Sequence, residues 1–159
     1  MWPLISEKQL GRVSDIVRDA AKRCDLRVGS PDPLHDRDGH FFGPVLFDNV
    51  SPQDTVAQEE VFGPVCAVST FDDLDAAAAI ANGNKYGLIA AVWTSNINSA
   101  LCLADDNVGG QVYVNTCAAG GGVELPFGGF RKAGFGREKG FEALRTFCQS
   151  KTIIVKLDR

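Results

Sequence analysis

Gly120-Gly121-Gly122-Val123-Glu124-Leu125-Pro126-Phe127-Gly128-Gly129-Phe130-Arg131-Lys132-Ala133-Gly134-Phe135-Gly136-Arg137-Glu138-Lys139-Gly140 is the stretch around which this chain is organised. Ten of the 17 glycines lie between Gly109 and Gly140. Glycine contributes no packing and raises the entropic cost of folding, so such a cluster needs a reason. Close backbone approach to a ligand, or a sharply bent loop, is the usual one. Phe127, Phe130 and Phe135 interrupt the run, which separates it from a flexible Gly/Ser linker. The stretch reads as an ordered loop at a site.

The rest of the chain supplies a frame for that loop. With 159 residues, 45% of them apolar and 23% charged, it has the ordinary balance of one globular domain with a sizeable core. The net charge is −4, and Lys and Arg are scattered without a basic stripe, so a nucleic-acid partner is not expected. No apolar run approaches the ~18 residues of a membrane span, and no membrane partner is expected. The opening Met1-Trp2-Pro3-Leu4 passes straight into a polar helical pattern unlike a signal peptide. Cys24, Cys66, Cys102, Cys117 and Cys148 form an odd set without a CxxC pair, which favours a reduced, cytoplasmic chain over a disulfide framework. His35 and His40 lack partners at ligand spacing, so no metal site is expected.

Ser6-Glu7-Lys8-Gln9 matches a capping box, and Leu10, Val13, Ile16, Val17, Ala20 and Ala21 recur at helical spacing behind it, predicting a helix over roughly 7–24. A short strand follows at 26–28, then a Pro/Asp/Gly/His-rich surface loop over 30–40. Residues 41–50 read as extended, broken at Gly43-Pro44, and Ser51-Pro52 as the start of a short helical turn. Strands are predicted at 65–71, 88–94, 111–115 and 152–157. Helices are predicted at 74–81, capped by Asp72 or Asp73, and at 97–104 and 141–148. The alternation argues for an α/β fold with a largely parallel sheet, whose ligands sit beyond the carboxyl ends of the strands. The loop 116–136 follows one such end.

Three motifs carry possible chemistry. Gly134-Phe-Gly136-Arg-Glu-Lys-Gly140 has the look of a dinucleotide loop, but Phe130 to Ala133 before it is too short and polar for the strand that such a loop requires. Glu59-Glu60-Val61-Phe62-Gly63-Pro64-Val65 reads either as a solvated helix end before a bend, or as a carboxylate that grips hydroxyls beside a stacking ring. Cys117 opens the glycine loop; it is either an inert loop thiol or a nucleophile activated by a nearby cation such as Arg131 or Lys132.

Gln58-Glu59-Glu60-Val61-Phe62-Gly63-Pro64-Val65, taken with 126–134 and Gly136-Arg137-Glu138, closely resembles the NAD(P)+-dependent aldehyde dehydrogenase superfamily. Pro3-Leu4-Ile5-Ser6, Tyr86-Gly87-Leu88, Val92-Trp93-Thr94, Val114-Asn115 and Lys151-Thr152 occur in that family's order and spacing, so the resemblance runs from Pro3 to Leu157. Met1-Trp2 departs from the Met-Gly common there, and Ala133 stands where Ser is frequent.

The resemblance implies residues 1–149 as a partial aldehyde dehydrogenase catalytic domain, a largely parallel sheet flanked by helices, and 150–159 as a C-terminal oligomerisation strand. It implies NAD or NADP as cofactor and a small-molecule aldehyde as substrate. Mapped residue by residue, Glu60 corresponds to the carboxylate on the nicotinamide-ribose hydroxyls and Phe62 to the aromatic beside that ring. Phe127 corresponds to a wall of the aldehyde tunnel, and Thr116 and Cys117 to variable positions at its mouth. The family's nucleophilic cysteine, general-base glutamate, oxyanion asparagine and Rossmann domain all precede Pro3 in the family's order, so no catalytic residue is assigned here. Three functions remain open: a C-terminal aldehyde dehydrogenase fragment inactive alone, a non-catalytic module forming homo-oligomers through 150–157, and a thiol hydrolase using Cys117.

Overall fold

The computed structural model describes residues 3–34, 38–117 and 122–157. The chain divides into two compact units, Met1–Asn84 and Lys85–Arg159.

In the first unit, helix α1 (Glu7–Ala20) starts where the sequence places it: Ser6 is extended, and its Oγ accepts from the Gln9 N–H at 3.2 Å. Val13, Val17 and Ala20, at i, i+4 and i+7, turn into the core. The helix stops at Ala20 rather than continuing to 24, and residues 21–24 form a tightened turn whose N–H groups return to Val17, Asp19 and Ala20.

Strands β1 (Asp25–Val28), β2 (Val45–Asp48) and β3 (Val65–Ala67) form one sheet in that order. β1 runs antiparallel to β2, and β3 parallel to it, with Val45 opposite Val65 and Phe47 opposite Ala67. Val45 and Phe47 point inward on alternate residues and meet the α1 face with Phe42, Val50, Val56 and Val61. Each such side chain, fully buried, stabilises by about 1.5–3 kcal/mol. Helix α2 (Thr55–Gln58) begins later than the expected turn at Ser51-Pro52, because Asp54 supplies the cap: its carboxylate accepts from the Val56 N–H at 3.1 Å. Asp73, one of the two predicted caps, starts helix α3 (Leu74–Asn82) by accepting from the Ala76 N–H at 2.7 Å.

The second unit holds a separate parallel pair, β4 (Ile89–Val92) and β5 (Gln111–Val114), joined through helix α4 (Ile97–Asp106). A 3-10 turn (Arg131–Ala133) and helix α5 (Gly140–Thr146) follow. The described strands form two small sheets, and their pairings are parallel at β2–β3 and β4–β5 and antiparallel at β1–β2. The expected strand at 152–157 does not form: residues 151–157 are exposed and carry no strand assignment. A strand needs a neighbour for its N–H and C=O groups, which sequence propensity does not supply.

The units differ in core. Among the described residues after Lys85, only Ala100 and Gly129 are buried. Large apolar side chains that end their pattern on a helix face, Ile97 and Leu101 on α4 and Phe141 and Leu144 on α5, lie open.

Candidate functional site

Glu60 and Phe62 leave α2 on a segment clamped from one face of α1. Gln9 Nε2 donates to the carbonyls of Val61 at 3.0 Å and Phe62 at 3.1 Å, and Arg12 Nη1 donates to Val61 at 2.8 Å. Val61 is buried between its exposed neighbours. A Cβ on Gly63 would lie 2.8 Å from Val13 Cγ2, so only glycine lets the loop sit this close to the helix. Phe62 has φ 55°, a left-handed backbone that is costly for a bulky residue. The clamp sustains it, and the ring stands 69% exposed beside the exposed Glu60. Arg12 and the side-chain role of Gln9 were not apparent from sequence. Gln9 reads there as the second half of a capping box, yet its amide reaches residues more than fifty positions away. The i, i+3, i+4 spacing of Gln9, Arg12 and Val13 was the available signal.

In the second unit, β5 ends at Val114 and is followed by Asn115, which has φ 54°; half-buried Thr116 and exposed Cys117 come next. Gly120 and Gly121, the start of the organising stretch, lie outside the described residues, as do Met1, Trp2 and His35. From Pro126 the loop is tightly tied. Phe127 and Glu138 form an antiparallel bridge, each N–H donating to the other's carbonyl at 2.7 Å. Arg137 Nη1 donates to the carbonyls of Gly129 at 3.0 Å and Gly136 at 2.7 Å, and its guanidinium stands 4.6 Å from the Phe130 ring centre. The Phe130 N–H donates to the Gly87 carbonyl at 2.9 Å, and a Cβ on Gly110 would collide with the Gly128 carbonyl. These contacts shape a cleft of about 410 Å³ lined by Phe127, Gly128, Phe135, Arg137 and Glu138 among others. Lys139 holds its ammonium 5.4 Å from the Phe127 ring.

The dinucleotide-loop reading of 134–140 does not survive, because the 3-10 turn and not a strand precedes Gly134. Glu60 and Phe62 thus stand as an exposed carboxylate and an exposed ring two residues apart on one clamped segment. Among the described residues there is no group of three His, Cys, Asp or Glu able to hold a metal ion, and no helix long and apolar enough to cross a membrane.

A second cluster went unnoticed in the sequence. Arg23 Nε and Nη2 grip Asp54 at 2.8 and 3.2 Å, and Nη2 also reaches Asp19 at 2.8 Å. Arg23's hydrogen bonds hold the Asp54 and Asp19 carboxyls below the usual carboxylate range, against the opposing effect of burial. Burial, then the Asp54 charge, pushes the neighbouring Cys24 thiol up.

Comparison with known proteins decides the family. The Aldehyde dehydrogenase family matches residues 1–153. The chain belongs to the aldehyde dehydrogenase family. Retinaldehyde dehydrogenase 3 of Rattus norvegicus is 38% identical over 98% of this chain and 30% of its own length. An aldehyde dehydrogenase of Davidiella tassiana is 34% identical over 98% of this chain and 31% of its own. The structure of a Mycobacterium tuberculosis aldehyde dehydrogenase complexed with NAD+ superposes with a TM-score of 0.89 at 35% identity, covering 98% of this chain and 32% of that one. A putative aldehyde dehydrogenase from Burkholderia cenocepacia is 46% identical, with a TM-score of 0.82 over 91% of this chain and 31% of that one. This aldehyde dehydrogenase chain therefore spans under a third of the relatives it matches.

Proposed function

We propose that this chain is the C-terminal part of an aldehyde dehydrogenase, an oxidoreductase that converts an aldehyde to a carboxylic acid with NAD(P)+, and that it does not turn over alone. The observation carrying this is the match of nearly the whole chain to about 31% of its relatives' length. In this reading Glu60 accepts from the nicotinamide-ribose hydroxyls and Phe62 offers its ring beside them, both held in place by Gln9 and Arg12. The bound cofactor would supply the hydride acceptor. Phe127 walls the aldehyde tunnel, its direction fixed by the bridge to Glu138, and Thr116 and Cys117 stand at the mouth. The solved relatives complexed with NAD+ favour NAD over NADP. Five free cysteines favour a reduced, cytoplasmic setting.

The test has two arms. The purified chain mixed with NAD+ and a simple aldehyde is expected to give no rise in NADH absorbance. Titrating nicotinamide mononucleotide into the 15N-labelled chain is expected to shift the amides of Glu60 to Phe62, an effect lost in Glu60→Gln. Turnover abolished by Glu60→Gln would overturn the inactivity, and unshifted amides would overturn the site.

A second reading, a non-catalytic module that self-associates through 150–157, is favoured by one observation. Ile153, Ile154, Val155 and Leu157 are all strongly exposed on a segment with β propensity. Light scattering showing a dimer or larger assembly, lost on deleting 150–159, supports it; a monodisperse monomer sinks it.

A further inference from the structure

We propose that Asn115 is a positioning residue for Thr116 and Cys117, acting as a side-chain extension of the β4–β5 ladder. The importance of that pair rests on their placement at the tunnel mouth under the function proposed above; the positioning itself rests on geometry alone.

The last backbone rung of the ladder is the Asn115 N–H donating to the Val92 carbonyl at 2.8 Å. At Asn115 the main chain leaves the sheet, with φ 54°. Asparagine tolerates this left-handed turn better than most residues. Its side chain nevertheless continues the pairing. Oδ1 accepts from the Thr94 N–H at 2.9 Å, and Nδ2 donates to the Thr94 carbonyl at 2.8 Å. One amide side chain thus satisfies both backbone groups of Thr94, as a further strand residue would. Thr94 is in turn fixed to the start of α4: its Oγ1 accepts from the Asn96 N–H at 3.1 Å. Asn96 caps that helix, its Oδ1 accepting from the Asn98 and Ser99 N–H groups at 2.9 and 3.3 Å.

The exit of β5 is therefore referenced to two other elements through one side chain. The two residues after the pivot inherit their direction from it. Alanine would remove both hydrogen bonds and disfavour the left-handed turn. Glycine would keep the turn and remove only the clasp. Aspartate would keep the acceptor for the Thr94 N–H but set a carboxylate against the Thr94 carbonyl.

The experiment uses the full chain with its thiols tagged by a trifluoromethyl ketone, the Cys117 fluorine line being assigned by its loss in Cys117→Ser. Unaltered chain is expected to give one sharp line for Cys117. Asn115→Ala and Asn115→Gly are expected to broaden or split that line while the other cysteines' lines and the circular dichroism stay unchanged, and Asn115→Asp to fall between. An unchanged line in Asn115→Gly would show that the backbone turn, not the clasp, sets the direction, and would overturn the proposal. So would loss of fold in both the alanine and glycine variants, which would make the role purely structural. The fluorine line does not depend on any aldehyde or cofactor. Its failure leaves the proposed function standing, and failure of the nucleotide titration leaves this inference standing.

Discussion

Arg23 grips Asp54 with two arms of its guanidinium, at 2.8 and 3.2 Å, while the Asp54 side chain is only 6% exposed and also caps α2. One carboxylate thus closes the turn after α1 and starts the next helix. Asp54→Ala removes the cap and leaves Arg23 with Asp19 alone. Hydrogen bonds to charged groups contribute about 1.5–3 kcal/mol, so a loss of about 2–3 kcal/mol is expected in the unfolding free energy from urea melts at pH 7. A loss under ~0.5 kcal/mol would show the pair to be idle.

The same pair sets an acid response. Asp54 and Asp19 are both held below their ordinary value, with the Arg23 hydrogen bond as the largest cause. A depressed carboxyl contributes stability that is fully present above the unfolded value of about 3.9 and is lost as pH falls through the lower folded value. Stability is therefore expected to be flat from pH 7 to about 5 and to fall below pH 4. Asp54→Asn, already less stable at pH 7, should fall less over the same acid range. Parallel curves for the two proteins would remove Asp54 from the account.

Gly63 and Val13 test the seat of the Glu60–Phe62 loop. A Cβ at Gly63 would lie 2.8 and 3.0 Å from the two Val13 methyls. Overpacking of this kind costs about 1–3 kcal/mol, and Gly63→Ala should show it in denaturant melts. Val13→Ala opens space, so the double variant is expected to lose less than the sum of the two single changes. Strict additivity would mean that the methyls do not meet.

Gln9→Ala and Arg12→Ala probe the clamp on Val61 and Phe62. Each removes donors to partly buried carbonyls and should destabilise by about 1–2 kcal/mol. Amide exchange is expected to quicken over residues 59–63 and to stay unchanged over β4 and β5. Uniform quickening along the whole chain would count against a local clamp.

The thiols give a map of exposure. Cys66, Cys102, Cys117 and Cys148 are exposed, whereas Cys24 is half-buried with its thiol pushed up, so it carries less thiolate at any given pH. Site-resolved alkylation at pH 8 is expected to label Cys24 at least several-fold more slowly than the other four. A Cys117 far faster than Cys66 and Cys148 would revive the thiol-hydrolase reading. Uniform rates would contradict the order proposed for Cys24.

Sequence alone determined the family and most of the elements. Ser6, Asp73 and the apolar periods of α1 and α4 fix those helices through local hydrogen bonds and side-chain spacing, which act within a few residues. It also singled out Glu60, Phe62, Thr116, Cys117 and Phe127, because motif order is a property of the chain. It could not give the grip of Arg23 on the α2 cap Asp54 across 31 residues, nor the clamp of Gln9 and Arg12 on Val61. Nor could it settle the tail, since 152–157 has strand propensity but a ladder requires a neighbour. The glycine stretch shows both sides. Its composition announced a tightly bent loop, and only the folded chain revealed how that loop is held: the Phe127–Glu138 bridge, Arg137 on two carbonyls, and Gly110 against Gly128. Local propensity is written in neighbours along the chain, while register, clamps and close glycine contacts arise only when distant segments meet.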